Sequence, residues 1–65
     1  MEMCESNAYL RKHDGEEDLL LEMVDRVCHQ GDYLVLEDIF GRKKTVRAKI
    51  VEMALVDHRI IMEEY

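Results

Sequence analysis

Several kinds of residue and segment are scarce in this chain of 65 residues, and each scarcity excludes a class of protein. Only two cysteines are present, too few for the disulfide framework that stabilises many small secreted domains. No apolar stretch approaches the length of about twenty residues that a membrane-spanning helix needs. Proline is absent and no low-complexity segment interrupts the chain, so we expect no linker between domains.

The short length makes an additional source of stability necessary, because a chain of this size buries only a small core. With a disulfide framework excluded, association becomes the leading source, and the homodimer is its commonest form. The first residues include the acidic Glu2 and Glu5 and no long apolar run, so we expect no secretory signal. A cytoplasmic protein with reduced thiols is the resulting prediction.

The apolar residues mostly follow the two-residue period of β-strands. We predict strands, separated by turns that contain glycine or aspartate, over 7–12, 18–23, 33–40, 44–55 and 59–63. The segment 24–30 is ambiguous, and both a single helical turn and an irregular loop fit it. Five or six short strands in so short a chain predict an all-β domain, either a small antiparallel barrel or a strongly bent sheet.

The alternation changes phase inside the fourth predicted strand. Apolar residues occupy even positions up to Ile50 and odd positions from Val51 onward. Since a slip of one residue turns every following side chain to the other face, we predict a β-bulge near Ile50 and Val51. Such a bulge bends a strand and helps to close a small barrel.

The motifs of common enzyme classes are missing from the sequence. It has no glycine-rich phosphate loop, no nucleophile elbow and no CxxC pair. Cys28 and His29 are adjacent and would point to opposite faces of a strand, so we interpret Cys28 as a small buried apolar residue. Asp57 and His58 are interpreted as a polar turn between strands. We therefore expect that the protein is not an enzyme.

A net charge of −6 argues against general nucleic-acid binding, because contacts to phosphate need a positive surface. One segment is an exception, since it contains five of the nine lysines and arginines: Arg42, Lys43, Lys44, Arg47 and Lys49. An RNA-binding module that uses residues 42–49 is one candidate function, and a solvated strand face is the simpler interpretation. Only four aromatic residues are present, without a paired stacking signature for bases.

The start of the chain holds the strongest candidate for a metal site. If translation began at Met3, removal of that methionine would leave Cys4 as the terminal residue. A terminal cysteine offers a thiolate, a free amine and neighbouring backbone amides, which suit a soft or square-planar ion such as nickel(II) or copper(II). An ordinary free cysteine near a frayed terminus is the alternative interpretation.

Three separated segments resemble the CooT family, small proteins of bacteria and archaea that are also labelled predicted RNA-binding proteins. The segments are Met3–Leu10 with the following turn at Asp14 and Gly15, Leu34–Gly41, and Ala54–Ile61. The resemblance covers nearly the whole chain from Met3 onward. It divides the chain into a flexible or artificially added start, residues 1–3, and a single β domain over 4–65.

The resemblance implies a homodimeric metallochaperone that binds nickel(II) and assists maturation of a nickel enzyme, carbon monoxide dehydrogenase. Its metal ligand would be the thiolate of Cys4, and we expect the backbone of Cys4 and Glu5 to supply nitrogen donors. Met1 and Glu2 depart from the family pattern, because they separate the free amine from Cys4.

Two questions about this function stay open at the level of sequence. The dimer contact is undefined, although the last predicted strand supplies three apolar candidates, Ile60, Ile61 and Met62. A structural dimer without any ligand would also explain the surplus of apolar strand positions. The expected partners are a second copy and a nickel enzyme or its maturation machinery, with RNA as the alternative and no membrane.

Overall fold

In the computed structural model, which describes residues 6–65, five β-strands pair side by side and form a closed barrel. The five strands are β1 (Ser6–Arg11), β2 (Glu17–Gln30), β3 (Tyr33–Asp38), β4 (Lys43–Ala54) and β5 (Arg59–Glu64). Consecutive strands pair antiparallel, and β1 completes the ring by pairing with β5 in parallel. The predicted all-β class and small barrel are confirmed, with this one parallel pair as the difference. No helix in the described part of the chain is long and apolar enough to cross a membrane.

The core fills the inside of the barrel, where every second residue of each strand points. Leu34 and Leu36 of β3 are fully buried there, together with Ala8 of β1 and Met62 of β5. The other members of the buried cluster are Leu21, Val24, Ala48 and Ile60. The alternation that predicted β3 from the sequence is therefore the alternation between core and surface.

Strand β2 is longer than the sequence predicts. It continues to Gln30, so the interpretation of 24–30 as a helical turn or irregular loop is wrong. The reason is local irregularity: Met23 has a positive φ of 55°, and the register with β3 shifts between Val24 and Arg26. These irregularities break the two-residue period of apolar residues, which is the signal from which a strand is recognised.

The bulge predicted in β4 is confirmed, because the register with β5 shifts between Ile50 and Glu52. Ile50 still packs against the core, whereas Val51 is exposed. Met53 lies opposite Ile60 at the end of the barrel and is 54% exposed. The apolar residues that follow the bulge therefore remain on the surface.

The last strand is covered by its own chain. Ile60, Ile61 and Met62 are all buried, so they are not exposed for the dimer contact that the sequence suggested. Ile60 and Met62 belong to the core cluster, whereas Ile61 lies outside it and pairs with Tyr9 of β1. The guanidinium of Arg59 lies 4.5 Å from the centre of the Tyr9 ring. These two side chains therefore extend over the outer face of the β1–β5 pair.

Candidate functional site

The candidate metal ligands Cys4 and Glu5 lie outside the described residues, as does the start at 1–3. The structure does describe the strand that follows them. The backbone N–H of Asn7 donates to the carbonyl of His58 at 2.8 Å, and its side-chain Oδ1 accepts from the N–H of Met23 at 3.3 Å. The start of β1 is thereby held between β2 and the turn that joins β4 to β5.

Exposed apolar side chains lie in the segment that leads into this turn. We call residues 51–56 the apolar segment, because four of its six side chains are apolar and exposed: Val51, Met53, Leu55 and Val56. Val56 is 90% exposed and Leu55 is 74% exposed. A monomeric protein rarely leaves such side chains grouped at one place, so the apolar segment is a candidate contact surface.

Cys28 is exposed, which contradicts the expectation that it is buried. It lies opposite Val35 in the β2–β3 pair, whereas Val27 lies opposite the buried Leu36 and packs against the core. Because alternate residues of a strand face outward, Cys28 points away from the core, and no second layer of residues 6–65 covers it. Across residues 6–65, no three histidine, cysteine, aspartate or glutamate side chains are grouped closely enough to hold a metal ion.

The basic segment, residues 42–49, does not form one continuous positive face. A side-chain nitrogen of Arg47 lies 3.6 Å from a carboxylate oxygen of Asp32, and Lys49 lies opposite Glu63 in the β4–β5 pair. Arg42 is paired with Asp38, and Lys43 lies opposite Glu37 in the β3–β4 pair, so four of the five cations stand beside acids. Arg42, Lys43 and Lys44 lie at the turn between β3 and β4 and at the start of β4. RNA binding by the whole segment stays a prediction.

A buried carboxylate, that of Asp38, organises the turn between β3 and β4. Its Oδ1 accepts the backbone N–H groups of Phe40 at 2.9 Å and Arg42 at 2.8 Å, and its Oδ2 accepts Nε–H of Arg42 at 2.6 Å. Burial raises the pKa of Asp38, but the hydrogen bonds from Arg42 and Phe40 outweigh burial and hold the pKa below its ordinary value. The turn also needs Gly41, whose φ is +86°.

Sequence reasoning missed Asp38, although a signal was present. An aspartate that precedes a glycine-containing turn often accepts hydrogen bonds from the backbone of that turn. Here Arg42 follows at the position where its guanidinium meets the same carboxylate. The spacing of Asp38, Gly41 and Arg42 could therefore have predicted an organised turn.

A groove of about 600 Å³ lies next to this turn. One wall consists of residues 19–22 in the first half of β2, and the other consists of residues 42–44. Leu19 is half exposed on the first wall. The groove combines apolar side chains with three cations and one acid, Glu22, and no sequence pattern predicts that these segments meet.

Comparisons with known proteins agree with this barrel. The chain superposes on a crystal structure of a CooT candidate from Carboxydothermus hydrogenoformans with a TM-score of 0.87 and 44% identity, covering 95% of this chain and 98% of that one. It is also 42% identical over 43 residues to an uncharacterized protein of Archaeoglobus fulgidus, a match that spans 66% of this chain and 96% of that protein. The family model described as CO dehydrogenase accessory protein CooT matches residues 3–63, including the three segments that carry the resemblance. Because the match spans nearly the whole chain, the protein belongs to the CooT family of CO dehydrogenase accessory proteins.

Proposed function

We propose that this protein is a homodimeric nickel(II)-binding protein that assists the maturation of a CO dehydrogenase. The observation that carries the proposal is the match to the CO dehydrogenase accessory family, which includes Met3, Cys4 and Glu5. Cys4 is the proposed thiolate ligand, and the backbone nitrogens of Cys4 and Glu5 are the proposed further donors. Thiolates and deprotonated amides are donors that suit square-planar nickel(II).

A dimer would give this site enough ligands. One cysteine contributes a single thiolate, and a two-fold axis near the chain start would double that number. The geometry at the start of β1 supports such an arrangement. The turn after the apolar segment accepts a hydrogen bond from Asn7, so this exposed surface adjoins the strand that follows Cys4. Burial of Leu55 and Val56 against a second copy would bring the first residues of both β1 strands to one side of the dimer.

The nickel site makes a direct prediction for the chain that begins at Cys4. We expect one nickel(II) per dimer, with a thiolate-to-metal charge-transfer absorption that Cys4→Ala abolishes. Because binding releases protons from thiol and amide, the affinity should fall as the pH decreases. The chain with Met1 and Glu2 retained should bind more weakly, since its free amine is displaced from Cys4.

The second cysteine supplies the matched control. Cys28→Ala removes an exposed thiol from the outer face of β2 and should leave nickel binding unchanged. Titrations followed by absorbance and by calorimetry would compare the two variants. Nickel binding that survives Cys4→Ala, or that is lost in Cys28→Ala, would contradict the proposed ligand.

The dimer contact makes a separate prediction. Leu55→Glu introduces a charge into the apolar segment, and each dimer would contain it twice. We expect the dissociation constant of the dimer to rise at least about tenfold, because desolvating a charge replaces the gain from burying a leucine. Sedimentation equilibrium measures the change. Tyr33→Glu, at an exposed residue at the start of β3, should leave the dimer intact, and equal dissociation of both variants would exclude the apolar segment as the specific contact.

A further inference from the structure

The first half of β2 has a free edge. Residues of β2 from Glu17 to Leu21 pair with β1, whereas pairing with β3 starts at Val24. Among residues 6–65, no strand therefore pairs with the other edge of residues 17–22. In an antiparallel strand every second residue directs its N–H and C=O groups to such an edge, which makes it a template for another strand.

The opposite wall of the groove brings positive charge to this edge. Arg42, Lys43 and Lys44 line the groove across from Leu19 and its neighbours. Arg42 is bound by Asp38, but in the described range neither Lys43 nor Lys44 has an acidic side chain within 4.0 Å. The two lysines thus give the groove positive charge that no ion pair among residues 6–65 neutralises, although Lys43 lies opposite Glu37 in the β3–β4 pair.

We propose that this groove binds an extended acidic segment of a partner polypeptide, which adds as a strand to the free edge of β2. The backbone of the segment would pair with β2, its acidic side chains would meet Lys43 and Lys44, and an apolar side chain would cover Leu19. This combination of main-chain pairing with side-chain selection is an established mode of peptide recognition. The proposal is independent of nickel, because no residue of the groove belongs to the proposed metal site.

The groove fits a peptide better than RNA. Glu22 would repel a phosphate and an acidic side chain alike, so it does not separate the two. Arg47 and Lys49 are not part of the groove, and residues 19–21 give one wall an apolar surface that a phosphate backbone cannot use. A free strand edge also offers nothing that a nucleic acid specifically needs, whereas it matches the spacing of a polypeptide backbone.

A second copy of this chain fits the groove less well than an acidic segment. A two-fold contact uses the same surface on both copies, so it would bring Lys43 and Lys44 of both copies into one interface. Like charges in a shared interface oppose association. An acidic strand from another protein avoids this repulsion and compensates the lysines.

The test uses a fluorescein-labelled heptapeptide of alternating glutamate and valine, with fluorescence anisotropy as the measurement. We expect saturable binding to the full chain at about 20 mM sodium chloride that weakens as salt is added. The same peptide with N-methyl groups on alternate residues keeps its charge but cannot donate from those positions. It should bind at least about tenfold more weakly if the peptide adds as a strand.

Two double variants with the same change in net charge complete the test. Lys43→Gln with Lys44→Gln should weaken binding of the heptapeptide about fivefold. Arg47→Gln with Lys49→Gln, on the same strand but outside the groove, should leave it unchanged. Circular dichroism of both variants would show that the barrel is intact.

Five results would overturn the proposal. The first is the absence of binding up to about 1 mM peptide. The second is equal weakening by the two double variants, and the third is equal affinity for the N-methylated peptide. The fourth is a change of oligomeric state in the Lys43→Gln, Lys44→Gln variant, which would show that a second copy occupies the groove. Tighter binding of a mixed-sequence RNA oligonucleotide that depends on Lys43 and Lys44 would assign the surface to nucleic acid instead.

Discussion

Asp38→Ala is expected to lower the melting temperature by roughly 10 °C, which is a large change for a single polar residue in a small domain. The substitution removes the acceptor for two backbone N–H groups, those of Phe40 and Arg42, and for the guanidinium of Arg42. Donors that lose their partner at the edge of a core remain poorly solvated, so the loss exceeds that of an exposed ion pair. Thermal unfolding followed by circular dichroism measures the shift.

One further variant separates the hydrogen bonds of Asp38 from its charge, and a second variant is a control at an exposed aspartate. Asp38→Asn keeps one acceptor oxygen for the turn and should have an intermediate melting temperature. Asp32→Ala removes an exposed partner of Arg47 and should change the melting temperature little, because exposed ion pairs contribute little to stability. Equal melting temperatures for Asp38→Ala and Asp32→Ala would contradict the role given to Asp38.

The lowered pKa of Asp38 also fixes the direction of a pH effect. Burial by itself raises this pKa, and the hydrogen bonds from Arg42 and Phe40 lower it further than burial raises it. A carboxylate whose pKa is lower in the folded than in the unfolded state stabilises the fold at pH above its ordinary pKa. That contribution disappears as the pH falls through the folded-state pKa. The difference in stability between the parent chain and Asp38→Asn should therefore shrink in acid.

The turn that Asp38 holds also carries one wall of the groove. Arg42 lies in this turn, and Lys43 and Lys44 follow directly after it. If Asp38→Ala loosens the turn while the barrel stays folded, the heptapeptide should bind more weakly even though both lysines are present. Stability and recognition are thus linked through one buried carboxylate.

The sequence predicts those parts of the fold whose signals are local. The alternation from Tyr33 to Asp38 gave β3, and the change of phase at Ile50 gave the bulge in β4. The alternation fails in the second half of β2, because the irregularities near Met23 and Val24 hide the period there. A strand with a regular period, or with a single change of phase as in β4, can therefore be recognised from one sequence, whereas the second half of β2 cannot.

Long-range pairing leaves no such local signal. Nothing in residues 6–11 or 59–64 indicates that β1 and β5 pair in parallel, or that Arg59 donates to Glu17 at 2.8 Å across 42 positions of sequence. The groove was missed for the same reason, since its two walls meet only after the barrel has closed. The residues at the chain start pointed to Cys4 and the family resemblance strengthened it, whereas the surfaces that bear on partners came from tertiary structure.

Replacement of Leu36 by alanine is expected to leave the isolated chain largely unfolded at room temperature. Leu36 is fully buried between β2 and β4, and it lies opposite Val27 in the β2–β3 pair. Removing most of a buried leucine side chain costs about 2–5 kcal/mol, through lost burial and the cavity that remains. A single domain of this size rarely has more than about 3–5 kcal/mol of stability, so the variant would lose most of it. Urea denaturation followed by circular dichroism would show a lowered or absent transition.

Leu19→Ala is the matched control, because Leu19 belongs to the same sheet but is half exposed in the groove. Leu19→Ala should keep the stability of the parent chain and weaken binding of the heptapeptide, whereas the core variant Leu36→Ala lowers the stability itself. A parent-like urea transition for Leu36→Ala would contradict the assignment of the core. Leu36→Ala also tests association, because dimer formation stabilises the folded chain by mass action. If the apolar segment forms the dimer contact, Leu36→Ala should regain folded structure as its concentration rises, and Leu36→Ala combined with Leu55→Glu should not.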